Sequence, residues 1–167
     1  MNRASLTINL AMALLRILVD GYSLLHNWPS LAPGKPRHGE AARQELIRRL
    51  TLYGDAVGIP ITVVFDGGGA PPGPSSHASS RQLEIIYSSA GKTADDVIER
   101  VTARMRPLGE VLAVTDDYAE RDMVISLGGL AVSCANFMDD IERTLKEQTQ
   151  DIGRINRRER LRFKMHR

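Results

Sequence analysis

Five short, almost uninterrupted apolar runs alternate with longer stretches of helical periodicity, and this alternation constrains the fold more than any other feature. The runs are Ile17 to Val19, Ile61 to Phe65, Leu83 to Tyr87, Val111 to Val114 and Leu130 to Val132. Between the first two, Leu46, Leu50, Tyr53 and Val57 recur at spacings of three and four within Glu40 to Val57, while Arg43, Arg48 and Arg49 fall largely elsewhere. That is one apolar face of a helix. After the third run, Thr93 is a good N-cap for a helix whose apolar face is Val97, Ile98, Val101 and Met105. A short helix is expected to end near Ser126, and Asn136 is expected to cap a last helix leading into the C-terminal segment. Strands with apolar interiors, separated by helices, imply an α/β fold with a mainly parallel sheet of about five strands covered on both faces.

Composition bounds the class. With 167 residues, 43% hydrophobic and 25% charged, the chain is one ordinary domain that needs no disulfide or metal to fold. The single cysteine, Cys134, excludes an internal disulfide and a zinc cluster and fits a reducing compartment. No apolar run reaches the roughly 18 residues of a membrane span. The Met1 to Leu15 stretch holds Asn9 and leads straight into the first strand, so a cytoplasmic chain is expected rather than a secreted one. We divide the chain into an N-terminal extension (1–15), a domain (16–145) and a basic helix or tail (146–167). Met12 offers a second start, which would make residues 1–11 an over-long beginning. Aromatics, at 5%, are too few for a surface built of stacking rings.

The net charge of +2 hides an asymmetry. Residues 143–167 carry nine Lys/Arg against three Asp/Glu, whereas residues 1–142 carry thirteen against seventeen. A basic run is either a solvated helix or a phosphate-binding arm, because each cationic contact releases condensed counterions from nucleic acid. The candidates for such an arm are Arg154, Arg157, Arg158, Arg160, Arg162 and Lys164.

Three strands end in aspartate: Asp20, Asp66 and Asp117. Asp95 and Asp96 open the helix after Thr93. Right-handed crossovers carry these ends to one edge of a parallel sheet, where such sheets bind ligands. Each aspartate alone reads as a helix cap or turn residue, and Asp95-Asp96 as a complement to the helix dipole. Together they require something that offsets their repulsion, either protons or a hard divalent cation. Carboxylates without a ring of His or Cys point to Mg²⁺ or Mn²⁺ rather than zinc.

The segments Ile17-Leu18-Val19-Asp20-Gly21-Tyr22-Ser23, Val63-Val64-Phe65-Asp66, Lys92-Thr93-Ala94-Asp95-Asp96-Val97 and Val114-Thr115-Asp116-Asp117-Tyr118 occur in this order. They resemble the YacP-like branch of the NYN domain family, relatives of the PIN-domain ribonucleases. The resemblance covers most of Arg16 to Leu145. It implies a three-layer α/β/α fold and metal-dependent endoribonuclease chemistry on single-stranded RNA. On the matching positions Asp20, Asp95 and Asp117 are the acidic pocket for Mg²⁺ or Mn²⁺, with Asp66 as accessory. Messenger RNA as substrate and the ribosome as partner are further implications. Where the family usually has Asn, this chain has Ser23, whose hydroxyl can still hydrogen-bond a phosphate. Where it usually has Thr-Ser-Asp, this chain has Thr115-Asp116-Asp117, so that Asp116 either adds charge to the site or points outward.

Ser23, Asp96, Asp116, Arg81 and Lys92 complete the candidate substrate contacts. Gly67-Gly68-Gly69 lacks the Lys-Ser/Thr of a phosphate-binding loop, and Gly67 to Ser80 reads as a loop, either a linker or a gate. Trp28 is expected as an anchor after the first strand. The alternative function is a non-catalytic adaptor that binds RNA or a ribosomal surface through its basic tail. An aspartyl phosphatase is disfavoured because Tyr22 stands where its second aspartate is needed, and a receiver domain because this chain lacks the acidic pair such a domain needs near the first strand.

Overall fold

The computed structural model describes residues 14–67, 82–89 and 91–165. The sheet is built from β1 (Leu14–Asp20), β2 (Ile61–Phe65), β3 (Leu83–Tyr87), β4 (Glu110–Val114) and β5 (Leu130–Val132). All pair in parallel in the order β3-β2-β1-β4-β5. The helices are α1 (Gly21–Asn27), α2 (Glu40–Val57), α3 (Ala94–Met105), α4 (Tyr118–Ser126) and α5 (Cys134–Met165), with a 3-10 turn at Pro29–Leu31.

Strand residues alternate between two apolar layers, as the period of two requires. Ile17, Val19, Ile61, Val63 and Phe65 pack with Leu24 and Leu25 of α1, Leu46 and Leu50 of α2, and Phe137 and Ile141 of α5. Leu18, Val64, Val111 and Ala113 pack on the opposite face with Ala94 and Ile98 of α3 and Val124 of α4. The result is the expected three-layer α/β/α arrangement. Trp28 is a buried anchor at 2% exposure, under the Arg49 guanidinium at 4.9 Å.

Several local features differ from the sequence reading. The strand β1 starts at Leu14, and α1 follows it directly, because the Asp20 carboxylate accepts the Ser23 N–H and caps a helix. The last helix starts at Cys134, not after Asn136. Ser133 Oγ accepts the Asn136 N–H at 3.2 Å, so a hydroxyl three residues earlier takes the cap. The expected loop at Gly67 to Ser80 lies outside the described residues beyond Gly67.

Two glycines are fixed by close approach. A Cβ on Gly21 would stand 2.4 Å from the Phe65 ring, and one on Gly67 only 1.9 Å from the Ser88 carbonyl oxygen. Glycine in the Asp20-Gly21-Tyr22 segment therefore lets α1 leave β1 across the end of β2.

Order of strands also locates the site. From β1 the chain moves outward to β2 and β3, then returns across β1 to add β4 and β5 on the other side. The reversal lies between β1 and β4, and crevices at such points are the usual ligand sites. Asp20 is the last residue of β1 at that crevice.

Candidate metal centre

Asp20, Asp95 and Glu120 converge: one oxygen from each carboxylate lies within 4.8 Å of the others. Three different elements deliver them. Asp20 comes from the end of β1, and its Oδ1 accepts the Ser23 N–H at 3.2 Å. Asp95 is the second residue of α3. That helix starts in a reciprocal capping box between Thr93 and Asp96 and is tied to the end of β2 by Asp66 Oδ1, which accepts the Ala94 N–H at 2.7 Å. Glu120 sits in the first turn of α4, 2% exposed, and its Oε2 accepts the Thr115 hydroxyl at 3.0 Å.

Electrostatics records the crowding. Burial, reinforced by the Asp95 and Asp20 carboxylates, pushes Glu120 up to about 9 from 4.5, against the hydrogen bond from Thr115. Burial also raises Asp20, from 3.8 to about 6. The Ser23 amide opposes that rise, while Asp95 and Asp66 add to it. Glu120 Oε1 is buried, and no N–H or O–H among the described residues is directed at it. A buried carboxylate oxygen facing other carboxylates needs a proton or a cation between them. The donors are all hard oxygens, which suits Mg²⁺ or Mn²⁺ and not zinc. The residues present therefore fit a divalent cation.

The structure brings together two residues of the expected set, Asp20 and Asp95, and adds Glu120. Asp117 does not belong to that group: its Oδ1 accepts the Ala119 and Glu120 N–H groups at 2.8 and 3.1 Å and caps α4. Its own N–H donates to Thr115 Oγ1, the hydroxyl that holds Glu120. Asp117 thus acts on Glu120 through the backbone. Glu120 left a signal in the sequence, as an acid three residues after a helix cap. There it reads as an ordinary capping-box position.

The remaining candidates surround the cluster. Asp66 contributes charge to Asp20 and holds α3. Ser23 Oγ accepts the Asp116 N–H at 3.3 Å and lies 3.5 Å from Cys134 Sγ. Asp116 is exposed and does not join the acidic group; its Oδ1 accepts the Cys134 N–H at 2.9 Å and fastens α5 to the end of β4. Asp96 is fully exposed and held below the usual carboxylate range by the Thr93 backbone and hydroxyl. Lys92 lines a shallow groove with Asp96, Glu99 and Arg100. Arg81 lies outside the described residues. The basic candidates Arg154, Arg157, Arg158, Arg160, Arg162 and Lys164 are exposed along the last turns of α5.

A sequence model of the YacP-like NYN domain matches residues 17–166. The chain belongs to that family. Its relative YacP of Bacillus subtilis (strain 168) is 29% identical over 140 residues, which span 83% of this chain and 82% of the relative. The crystal structure of Rae1 (YacP) from Bacillus subtilis superposes with a TM-score of 0.70 at 26% identity, covering 83% of this chain and 80% of that one. A tryptophan-to-leucine variant of Rae1 gives a TM-score of 0.71 at the same identity, covering 84% and 82%. This YacP-like domain therefore has the NYN/PIN-like nuclease fold, with an acidic cluster at the crevice of its sheet. Among the described residues, no helix is long and apolar enough to cross a membrane.

Proposed function

We propose that this YacP-like domain is a divalent-cation-dependent endoribonuclease acting on single-stranded RNA. The observation that carries the reading is the meeting of Asp20, Asp95 and Glu120 within 4.8 Å. These three carboxylates would hold Mg²⁺ or Mn²⁺. When bound, such a cation lowers the pKa of a coordinated water and offsets charge on the phosphate oxygens.

The chain's own residues set up that chemistry. Asp117 and Thr115 fix the backbone and the carboxylate of Glu120, and Asp66 fixes the start of α3 and so Asp95. A cation held there would take the place of the proton that burial favours on Glu120. RNA as the substrate, with messenger RNA first among candidates and the ribosome as a candidate partner, is what membership of the YacP-like NYN family suggests. The basic end of α5 would supply sequence-independent grip on the phosphate backbone. A cytoplasmic location follows from that substrate.

Incubating the purified chain with labelled single-stranded RNA, with and without ribosomes, in Mg²⁺, Mn²⁺ or EDTA tests the proposal. Cleavage is expected with either ion and not in EDTA. Asp95→Asn and Glu120→Gln should each lower the rate by more than about a hundredfold, as removal of a group that places the reacting charge does. Asp117→Asn should cost less, since an amide oxygen still caps a helix. RNA binding without cleavage under every ion would replace this reading with the adaptor. Wild-type rates in Asp95→Asn would remove the cluster from the chemistry.

A further inference from the structure

Aromatic residues are few in this chain, yet several gather at the carboxyl edge of the sheet beside the acidic cluster. Tyr87 closes β3, and its ring stacks on that of Phe65, the last residue of β2, with centroids 5.6 Å apart. Tyr22, two residues beyond Asp20, meets Phe65 edge-on at 5.3 Å. His38 continues the row at 5.1 Å from Tyr22, and His26 lies 6.1 Å from His38. The row runs from core to solvent: Phe65 is buried, Tyr22 half-buried, and both imidazoles are exposed. Two guanidiniums border it, Arg43 donating to Tyr22 Oη at 3.4 Å and Arg37 to the His26 carbonyl at 3.3 Å.

Packing explains the inner part of this row and not the outer part. Phe65 and Tyr22 belong to the apolar layer. An exposed imidazole tilted against the half-buried Tyr22 ring, with a second imidazole beside it, buries little area, and the fold does not need them there. Planar rings on a rigid aromatic base, bordered by positive charge and starting two residues after Asp20 in the chain, suit one chemical class. An unpaired nucleobase offers a flat π-face to the rings, and its phosphate suits the guanidiniums.

We propose that Tyr22, His38 and His26 form a stacking subsite for an unpaired base of the RNA strand that enters the Asp20–Asp95–Glu120 cluster. Arg37 and Arg43 supply the charge for the adjoining phosphate. The inference rests on the nuclease reading and adds what selects the substrate. A base within a duplex is already stacked and cannot reach the rings, so the subsite favours single strands. Stacking tolerates any base, so little sequence preference arises from it.

The test measures RNA binding by fluorescence anisotropy in EDTA, where turnover is absent, with the full chain and a labelled single-stranded oligonucleotide. His38→Ala is expected to weaken binding roughly tenfold, the scale of one base deprived of its stacking ring. His38→Phe keeps a ring and should retain affinity, whereas His38→Lys places a positive charge there without a ring and should not. A set of oligonucleotides with one abasic position each should show a single position at which the wild type binds more weakly. His38→Ala should be insensitive to that same position. His38 is exposed, so these variants keep the core. Equal affinity and equal abasic profiles for wild type and His38→Ala would overturn the subsite. So would His38→Lys binding as well as His38→Phe. Failure of the nuclease reading shows separately, as absence of divalent-dependent cleavage by the wild type.

Discussion

Raising the pH without divalent ions should loosen this fold, and Glu120 is the group that decides how far. Folding holds Glu120 at about 9 and Asp20 at about 6, against ordinary values of 4.5 and 3.8. Both values are raised by burial, so the folded chain keeps protons that the unfolded chain has already released. Their stability contribution is fully present below about pH 4. It declines through pH 6 as Asp20 ionises, and it goes on declining toward pH 9 as Glu120 follows. A difference of one whole proton gives a slope of about 1.4 kcal/mol per pH unit. Asp95 keeps one side of the cluster open to water, so solvent reduces this to roughly 0.5–1 kcal/mol per unit. Between pH 6 and 8 the loss is then about 1–2 kcal/mol. Urea titrations in EDTA measure it directly, because Trp28 is the only tryptophan and is buried in the apolar layer. Glu120→Gln should flatten the slope, since the amide still accepts the Thr115 hydroxyl and has no proton to lose. Saturating Mn²⁺ should flatten it in the wild type by replacing the protons. Stability that is constant or rising from pH 6 to 8 in EDTA would refute the reasoning, as would an unchanged slope in Glu120→Gln.

Gly21→Ala should destabilise the chain by about 1–3 kcal/mol, read in the same titrations, because its methyl would enter the Phe65 ring. Replacing Arg154, Arg157, Arg158, Arg160, Arg162 and Lys164 with glutamine should leave stability within about 1 kcal/mol, since all are exposed on α5. The same change should reduce the dependence of log affinity on log salt by as much as about 4, at roughly 0.7 for each phosphate no longer neutralised. An unchanged salt slope would remove the basic end of α5 from RNA binding.

Much of the architecture was legible because the hydrophobic pattern carries it. The five apolar runs fall in the five strands, and the spacing of Leu46, Leu50 and Tyr53 marks the buried face of α2. Thr93 announced the start of α3. The helix α1 was harder to see. It is only about two turns long, and the residue that caps it, Asp20, carries a second role at the cluster.

The acidic site was legible in its place more than in its membership. Strand ends point to one edge of the sheet, and Asp20 and Asp95 meet there. Which acid of a helix's first turn faces the crevice depends on rotation by about 100° per residue about that helix, and that rotation is set by packing. At α4 the cap position took Asp117, while Glu120, three residues on, turned inward to Thr115. At α3 Thr93 is the cap, Asp96 closes its capping box, and Asp95 faces the crevice. Ser23 and Asp116 show the same limit, since their hydrogen bonds join segments 93 and 18 residues apart in the chain.

The central claim is that Asp20, Asp95 and Glu120 hold one divalent cation among them. Anomalous diffraction from crystals of the full chain soaked in Mn²⁺ tests it most directly. A manganese peak is expected within bonding distance of an oxygen from each of the three carboxylates, absent in Glu120→Gln or markedly weaker there. A manganese peak elsewhere with none between these side chains, or the three carboxylates turned apart in the soaked crystal, would contradict it.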